Sequence, residues 1–226
     1  MFVFLYTALL SLCATKPLIS AQSEKFLYAG AGMGVSFANA VYNGYAESGG
    51  STITFADEKH KKTKLFPLLI FGYEQAYENF LWGVEGYTNF TKITLGNNFE
   101  NASDAIYSSA EKGLTFGLAV KIGYPFQTAS PFLLLGGELG TVNYSYQQHD
   151  LVSGSTFNKS STCYVPVFMC GLGFEKKVRS VVFRMQYTLN NQAKSSVSFK
   201  DYQGDTIHQS FKLKERCFTM IVVYPF

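Results

Sequence analysis

From Leu114 to Tyr124 the chain alternates without a break, and that alternation limits what it can become. Leu114, Phe116, Leu118, Val120, Ile122 and Tyr124 are large and apolar, while Thr115, Gly117, Ala119, Lys121 and Gly123 are small or polar. Successive side chains of a β-strand point to opposite faces, so the segment reads as a strand with one apolar and one polar face. Val181 to Asn190 repeats the pattern: Val181, Phe183, Met185, Tyr187 and Leu189 oppose Val182, Arg184, Gln186, Thr188 and Asn190. In 25–38, Leu27, Ala29, Ala31, Met33, Val35 and Phe37 share a face opposite Gly30, Gly32 and Gly34.

Read this way, strands are expected at about 25–38, 64–74, 80–90, 114–124, 131–144, 162–174, 181–190 and 212–226. The second is apolar on both faces, and Pro67 removes a ladder donor from it. Tight connections follow strands two, four and six, at 75–79, 125–130 and 175–180. Long polar connections, expected as loops, occupy 39–63, 91–113, 145–161 and 191–211. Strands of about ten residues with short turns at one end and long loops at the other fit an all-β, eight-stranded, antiparallel up-and-down transmembrane barrel. It would have four long extracellular loops and three short periplasmic turns.

Which face points inward separates a membrane barrel from a soluble one. An eight-stranded lumen is about wide enough for side chains to fill. Glycines and a few paired charges fit such a space, whereas a full set of large apolar rows does not. The exterior would also carry few charges, since only 15% of the residues are charged. The apolar rows are therefore expected to face lipid. With 47% hydrophobic residues and 16% aromatics the chain is not disordered. Beyond the N-terminus no apolar run reaches the roughly 20 residues of a membrane helix. A net charge of +3 on scattered residues does not favour nucleic acid as a partner.

Residues 2–14 are nearly all apolar, and Ser20-Ala21 follows. This reads as a secretory signal peptide spanning 1–21, cleaved after Ala21 or alternatively after Ala14, with 22–226 as the barrel domain. Cys163, Cys170 and Cys217 remain in the mature chain. They read as small hydrophobes on strands, with a Cys163–Cys217 disulfide as the alternative.

Counting back by two from the end gives Phe226, Tyr224, Val222, Met220 and Phe218. This resembles the terminal-strand signal of bacterial outer-membrane proteins, although Pro225 departs from the pattern. The whole mature chain resembles the small barrels of the OmpA, OmpX and Opa type. The resemblance implies an outer-membrane location, recognition of the last strand by the barrel assembly machinery, and contact with outer-membrane lipid and lipopolysaccharide. It also implies a surface protein that meets host molecules through its loops. A small ion-conducting pore, an outer-membrane lipid-modifying enzyme and a soluble exported lipocalin-like carrier remain the alternatives.

Glu85, Lys121, Glu138 and Arg184 fall on the inner face of four strands and are expected to form a buried charge network. Lys121 and Arg184 would pair with Glu85 and Glu138 and close the lumen, whereas Glu74, at the short-turn end, is expected to be solvated. His60, His149 and His208 are placed in loops, and neither His149-Asp150 nor His208-Gln209-Ser210 forms a preformed dyad. No catalytic residue, cofactor or metal is expected. The basic run Lys59-His60-Lys61-Lys62 with Lys64 reads as a solvated rim or as a contact for lipopolysaccharide phosphates or a host glycan. Four Asn-X-Ser/Thr triplets, at Asn89, Asn101, Asn143 and Asn158, read as chance.

Overall fold

In a computed structural model of the chain, residues 24–77, 80–100, 103–126 and 129–226 are described; the expected signal peptide lies outside them. Everything regular is strand: β1 (Glu24–Ser48), β2 (Ser51–Tyr77), β3 (Phe80–Asn89), β4 (Ile93–Glu100), β5 (Asp104–Gly123), β6 (Ser130–Asp150), β7 (Thr156–Val178), β8 (Val181–Asn190), β9 (Ala193–Lys200) and β10 (Thr206–Pro225). β1, β2, β3, β5, β6, β7, β8 and β10 pair in that order, all antiparallel, and β10 closes the ring on β1.

The expected faces are the observed ones. Phe116, Leu118, Val120 and Ile122 are exposed, while Thr115, Ala119 and Lys121 between them are buried. Met33 and Phe37 on β1, Leu69 and Phe71 on β2, Leu133, Leu135 and Leu139 on β6, Phe168 and Leu172 on β7, and Met220 on β10 complete an exposed apolar belt. Such a belt is the exterior of a membrane-spanning barrel. Inside, the glycines make room for rings. A Cβ on Gly117 would collide with the ring of Tyr87.

The strands run much further than expected. A tilted crossing needs about 9–11 residues, and β2 alone has 27. The segments expected as long loops are therefore mostly ladder. β1 and β2 stay paired to Ser48↔Ser51, where Gly49 and Gly50 take φ of 53° and 86°. Both central residues of a tight type I′ hairpin turn need positive φ, which Gly-Gly supplies. At the opposite end, Arg179, with φ of 57°, and Ser180 turn β7 into β8.

Two breaks divide the wall. β3 ends at Asn89 and β4 begins at Ile93; β8 ends at Asn190 and β9 begins at Ala193. Beyond the breaks β4 pairs with β5 and β9 with β10. Among the described residues no ladder joins β4 to β2 or β9 to β7. The ring thus separates, at two opposite seams, into two four-stranded sheets, β2-β1-β10-β9 and β4-β5-β6-β7.

The prolines sit at these seams. Phe90 N–H donates to Pro67 O at 3.3 Å. Since N–H and C=O of one strand residue point the same way, the donor missing from Pro67 faces the first break, where no ladder needs it. β2 consequently passes through Pro67 and keeps its pairing with β1. Pro166 lies two residues before Phe168, whose N–H and C=O both meet Asn191 at 3.0 Å. The Pro166 side of the strand thus faces the second break.

Between the two sheets lies an apolar core. Tyr42, Phe55, Ile93, Leu95, Tyr144, Tyr146, Ile207, Phe211 and Leu213 are buried there. On β6 the inward row runs from Phe132, Leu134, Gly136, Glu138 and Gly140 to Val142, Tyr144 and Tyr146. The outward row changes from Leu133, Leu135 and Leu139 to Asn143, Ser145 and Gln147. One strand is lipid-facing along its first half and an ordinary sandwich strand along its second.

Candidate functional site

The lumen of the ring holds the charges. Arg184, on β8, reaches across to β3 and β7: Nη1 lies 2.5 Å from Glu85 Oε2, and Nε lies 3.2 Å from Glu175 Oε2. Its guanidinium lies over two rings, 5.2 Å from the centroid of Tyr28 and 5.3 Å from that of Phe132, so cation–π attraction adds to the ion pairs. Tyr28 Oη donates to Glu85 Oε2 at 2.8 Å. Lys121, on β5, donates to both Glu175 oxygens, at 2.9 and 2.8 Å, and pairs with Glu74. Glu175 therefore joins the two cations into one chain of ion pairs.

A second group lies nearer the sandwich. Lys112 pairs with Glu215, whose other oxygen accepts from Ser36 Oγ at 2.5 Å. Glu138 accepts from Tyr87 Oη and from Asn190 Nδ2, each at 2.8 Å. A void of about 20 Å³ lies among Lys112, Glu138 and Glu215, with Thr115 and Asn190 on its wall. That is room for one water, and among the described residues Thr115 Oγ1 and Asn190 Oδ1 have no hydrogen-bond partner.

The expected quartet is thus divided. Arg184 and Glu85 pair, but Lys121 pairs with Glu74 and Glu175, and Glu138 binds a tyrosine and an amide instead of a cation. Glu74, expected in solvent, is 3% exposed. β2 carries it inward on the row of Phe66, Leu68, Ile70 and Gly72. Glu175, expected in a turn, is the hub, because β7 continues to Val178. Glu215 lies on the inward row with Cys217, Thr219, Ile221 and Val223, so counting by two along the last strand would have found it. Lys112 is hidden from such counting. The register shifts between Lys112 and Thr115, and a bulge returns Lys112 to the inside against the parity of Lys121.

The terminal row, Phe218, Met220, Val222, Tyr224 and Phe226, faces outward along β10, with Met220, Tyr224 and Phe226 the most exposed. β10 pairs with β1 from Pro225↔Tyr28 upward and closes the ring.

The histidines lie on strands or at their ends, not in loops. His60 faces Glu58 at 3.2 Å. His149 Nδ1 is 3.0 Å from Thr156 Oγ1. His208 stacks on Tyr45 at 4.7 Å and meets Ser198 Oγ at 2.8 Å. Asp150 caps the β6–β7 turn, accepting from the Ser153 hydroxyl at 2.6 Å and from the N–H groups of Ser153 and Val152 at 3.0 and 2.8 Å. These bonds, the hydroxyl's first, lower its carboxyl from its ordinary value. Asn89 is likewise committed, its side chain accepting from Thr91 N–H at 2.8 Å to form the turn at the first break. Cys163, Cys170 and Cys217 are free thiols.

A ring of eight antiparallel strands with an apolar belt outside and charges inside is the fold of the small outer-membrane barrels. OprG of Pseudomonas aeruginosa is similar with a TM-score of 0.51 at 13% identity, over 89% of this chain and 95% of OprG. Ail of Yersinia pestis, in complex with the heparin analogue sucrose octasulfate, gives 0.37 at 16% identity over 88% and 99%. Neisserial surface protein A gives 0.36 at 12% identity over 91% and 99%. No protein-family profile and no curated protein sequence matches the chain.

Proposed function

We propose that the protein is a bacterial outer-membrane surface protein. In this reading a closed barrel anchors a rigid β-sandwich above the membrane, and the sandwich meets the environment or a host surface. The observation that carries this reading is the change of the outward row along single strands, clearest on β6, from Leu133, Leu135 and Leu139 to Asn143, Ser145 and Gln147. A soluble carrier would not expose an apolar row such as the first three. A pore would need a continuous polar passage, but here the ion-paired lumen is capped by the aromatic core of Tyr42, Phe55, Tyr144, Tyr146 and Phe211. No catalytic role is assigned, because each histidine is engaged by its own local partner.

The same reading has residues 1–21 directing export and the Phe218-to-Phe226 row recognised by the barrel assembly machinery. Outer-membrane fractionation with a heat-modifiability gel tests the anchor. The chain should need detergent for extraction and should migrate differently before and after boiling; release without detergent would favour the soluble carrier. Planar-bilayer recording tests closure. The wild type should show no steady conductance, and a defined unitary conductance would replace the closed barrel with a pore.

A further inference from the structure

The two sheets of the sandwich present different chemistry to the outside. On β4-β5-β6-β7 the outward rows above the belt are largely neutral and bond one another. Ser109 Oγ meets Ser145 Oγ at 2.7 Å, and Thr162 Oγ1 donates to Asn143 Oδ1 at 2.8 Å. Of the acids among them, Glu111 is neutralised by Lys92 at 3.0 Å, and Glu100 stands exposed at the far end of β4.

On β2-β1-β10-β9 the corresponding rows are cationic. Lys59 and Lys212 flank Val41, Lys61 and Lys214 flank Asn39, and Arg216 sits beside Phe37. Lys194 lies directly opposite Lys212. Cross-strand partners point the same way, so these six cations share one outer face, and all six are exposed. Among the described residues the one ion pair they make is Lys59 with Asp57, at 3.9 Å. Like charges directly opposite on a ladder are destabilising, and the Lys194–Lys212 pair carries that cost without a protein anion to relieve it.

Their height explains what relieves it. Arg216 and Phe37 are register partners, and Phe218, Val35 and Leu65 lie one row closer to the membrane. The cations thus begin where the apolar belt ends, at the level of lipid headgroups. The basic run on β2 splits accordingly. Lys59 and Lys61 join this face, whereas Lys62 turns to the seam and donates to Thr94 O.

We infer that this face is a docking surface for the phosphorylated headgroups of outer-leaflet lipid. The inference rests on the outer-membrane reading above and deepens it. Phosphate suits the site because lysines act as point charges without demanding bidentate geometry. A lipid source suits it because the apolar belt directly beneath accepts the acyl chains.

The test reconstitutes the full chain in phosphatidylcholine nanodiscs containing lipid A, a bis-phosphorylated glycolipid, and counts retained lipid A by native mass spectrometry. Insertion is read first by heat-modifiability; a chain that does not insert overturns the membrane reading and this proposal with it. The variant Lys194→Ser/Lys212→Ser/Lys214→Ser/Arg216→Ser should insert normally and retain lipid A at least about tenfold more weakly, since each interfacial cation is worth roughly fivefold. Lys200→Ser should retain it like the wild type. Lys200 stands on the same outward row of β9 as Lys194 but about 20 Å further out, beyond the Debye length of about 8 Å. Equal retention by the four-cation variant and the wild type overturns the proposal. So does equal retention of dephosphorylated lipid A by the wild type. Competition by soluble sucrose octasulfate at the affinity of the lipid would assign the face to free polyanions and overturn the lipid source.

Discussion

The barrel half and the sandwich half of this chain are built from the same strands with different rules for the face turned outward. Below the seams, Leu133 and Leu135 face out and Glu138 faces in; above them, Asn143 and Ser145 face out while Tyr144 and Tyr146 face in. Neither half breaks the period of two. The medium outside changes from lipid to water, so the outward row turns from apolar to polar. The inward row stays partly apolar in both halves, with Phe132 and Leu134 below and Tyr144 and Tyr146 above. The closed ring leaves no edge in lipid, where unpaired backbone groups are costly. Above the membrane water can take those groups, and the wall opens at two seams. The contrast implies that each half is sensitive to a different class of substitution.

The largest effect should come from the lumenal ion pairs. Arg184→Ala leaves Glu85 and Glu175 without the guanidinium, in a site where Arg184 is 1% exposed. Loss of a buried partner costs about 3–5 kcal/mol, read as a lower urea midpoint for the barrel. Replacing Glu85 as well, by Gln, should recover part of the loss. If Arg184→Ala unfolds no more readily than Ser145→Ala, the network contributes nothing to stability.

The next effect compares two positions on one outward row. Leu135→Arg places a charge in the belt and should cost about 2–4 kcal/mol if near the midplane, less toward the interface. Ser145→Arg, on the same row of β6 but in the sandwich, should stay within about 0.5 kcal/mol. Equal tolerance of both would erase the distinction between the halves.

Alkali should act on the sandwich. Burial pushes the Tyr144 hydroxyl up to about 12, and it raises Tyr42 and Tyr146 in the same direction. A raised folded-state value means the neutral hydroxyl is favoured by folding. This contribution is fully present below the unfolded value of 10.0 and is lost as pH climbs toward about 12. Amide exchange across Val142–Tyr146 should therefore accelerate in that window before exchange in 132–138. Simultaneous acceleration would mean the halves unfold as one unit.

Much of this was legible in the residues, and what was not has a physical cause. The alternation of Leu114–Tyr124 and Val181–Asn190 identified the ring, its lipid face and the inward positions of Lys121 and Arg184. The sandwich was missed because polarity was read as loop. Ser145, Gln147, Thr162 and Ser160 are polar because their outward rows meet water, and their ladders are intact. Val142, Tyr144 and Tyr146 carried the missing signal on the opposite parity. Glu74 and Glu175 were lost to strand ends drawn too short, and Lys112 to a bulge that no periodicity reveals.

The smallest effect probes what ends the ladder at a seam. Asn191 serves Phe168 at the second break, its side chain accepting the N–H and its own N–H donating to the C=O, each at 3.0 Å. Asn191→Ala removes the first bond and leaves the second. Losing one such hydrogen bond costs about 0.5–1.5 kcal/mol, and less where water replaces it. The substitution should therefore leave the melting of the barrel nearly unchanged while speeding exchange of the Phe168 amide. The same change at Asn143, whose side chain accepts from a surface threonine, should leave that amide alone. Pro166 gives the complementary test. Pro166→Ala restores a donor on the side facing the break, where β9 offers it no ladder partner, so the seam should stay open. If Pro166→Ala instead protects amides of Ala193 and Ser195, the proline is what keeps β9 from pairing with β7, and the asparagine only trims the end of the ladder.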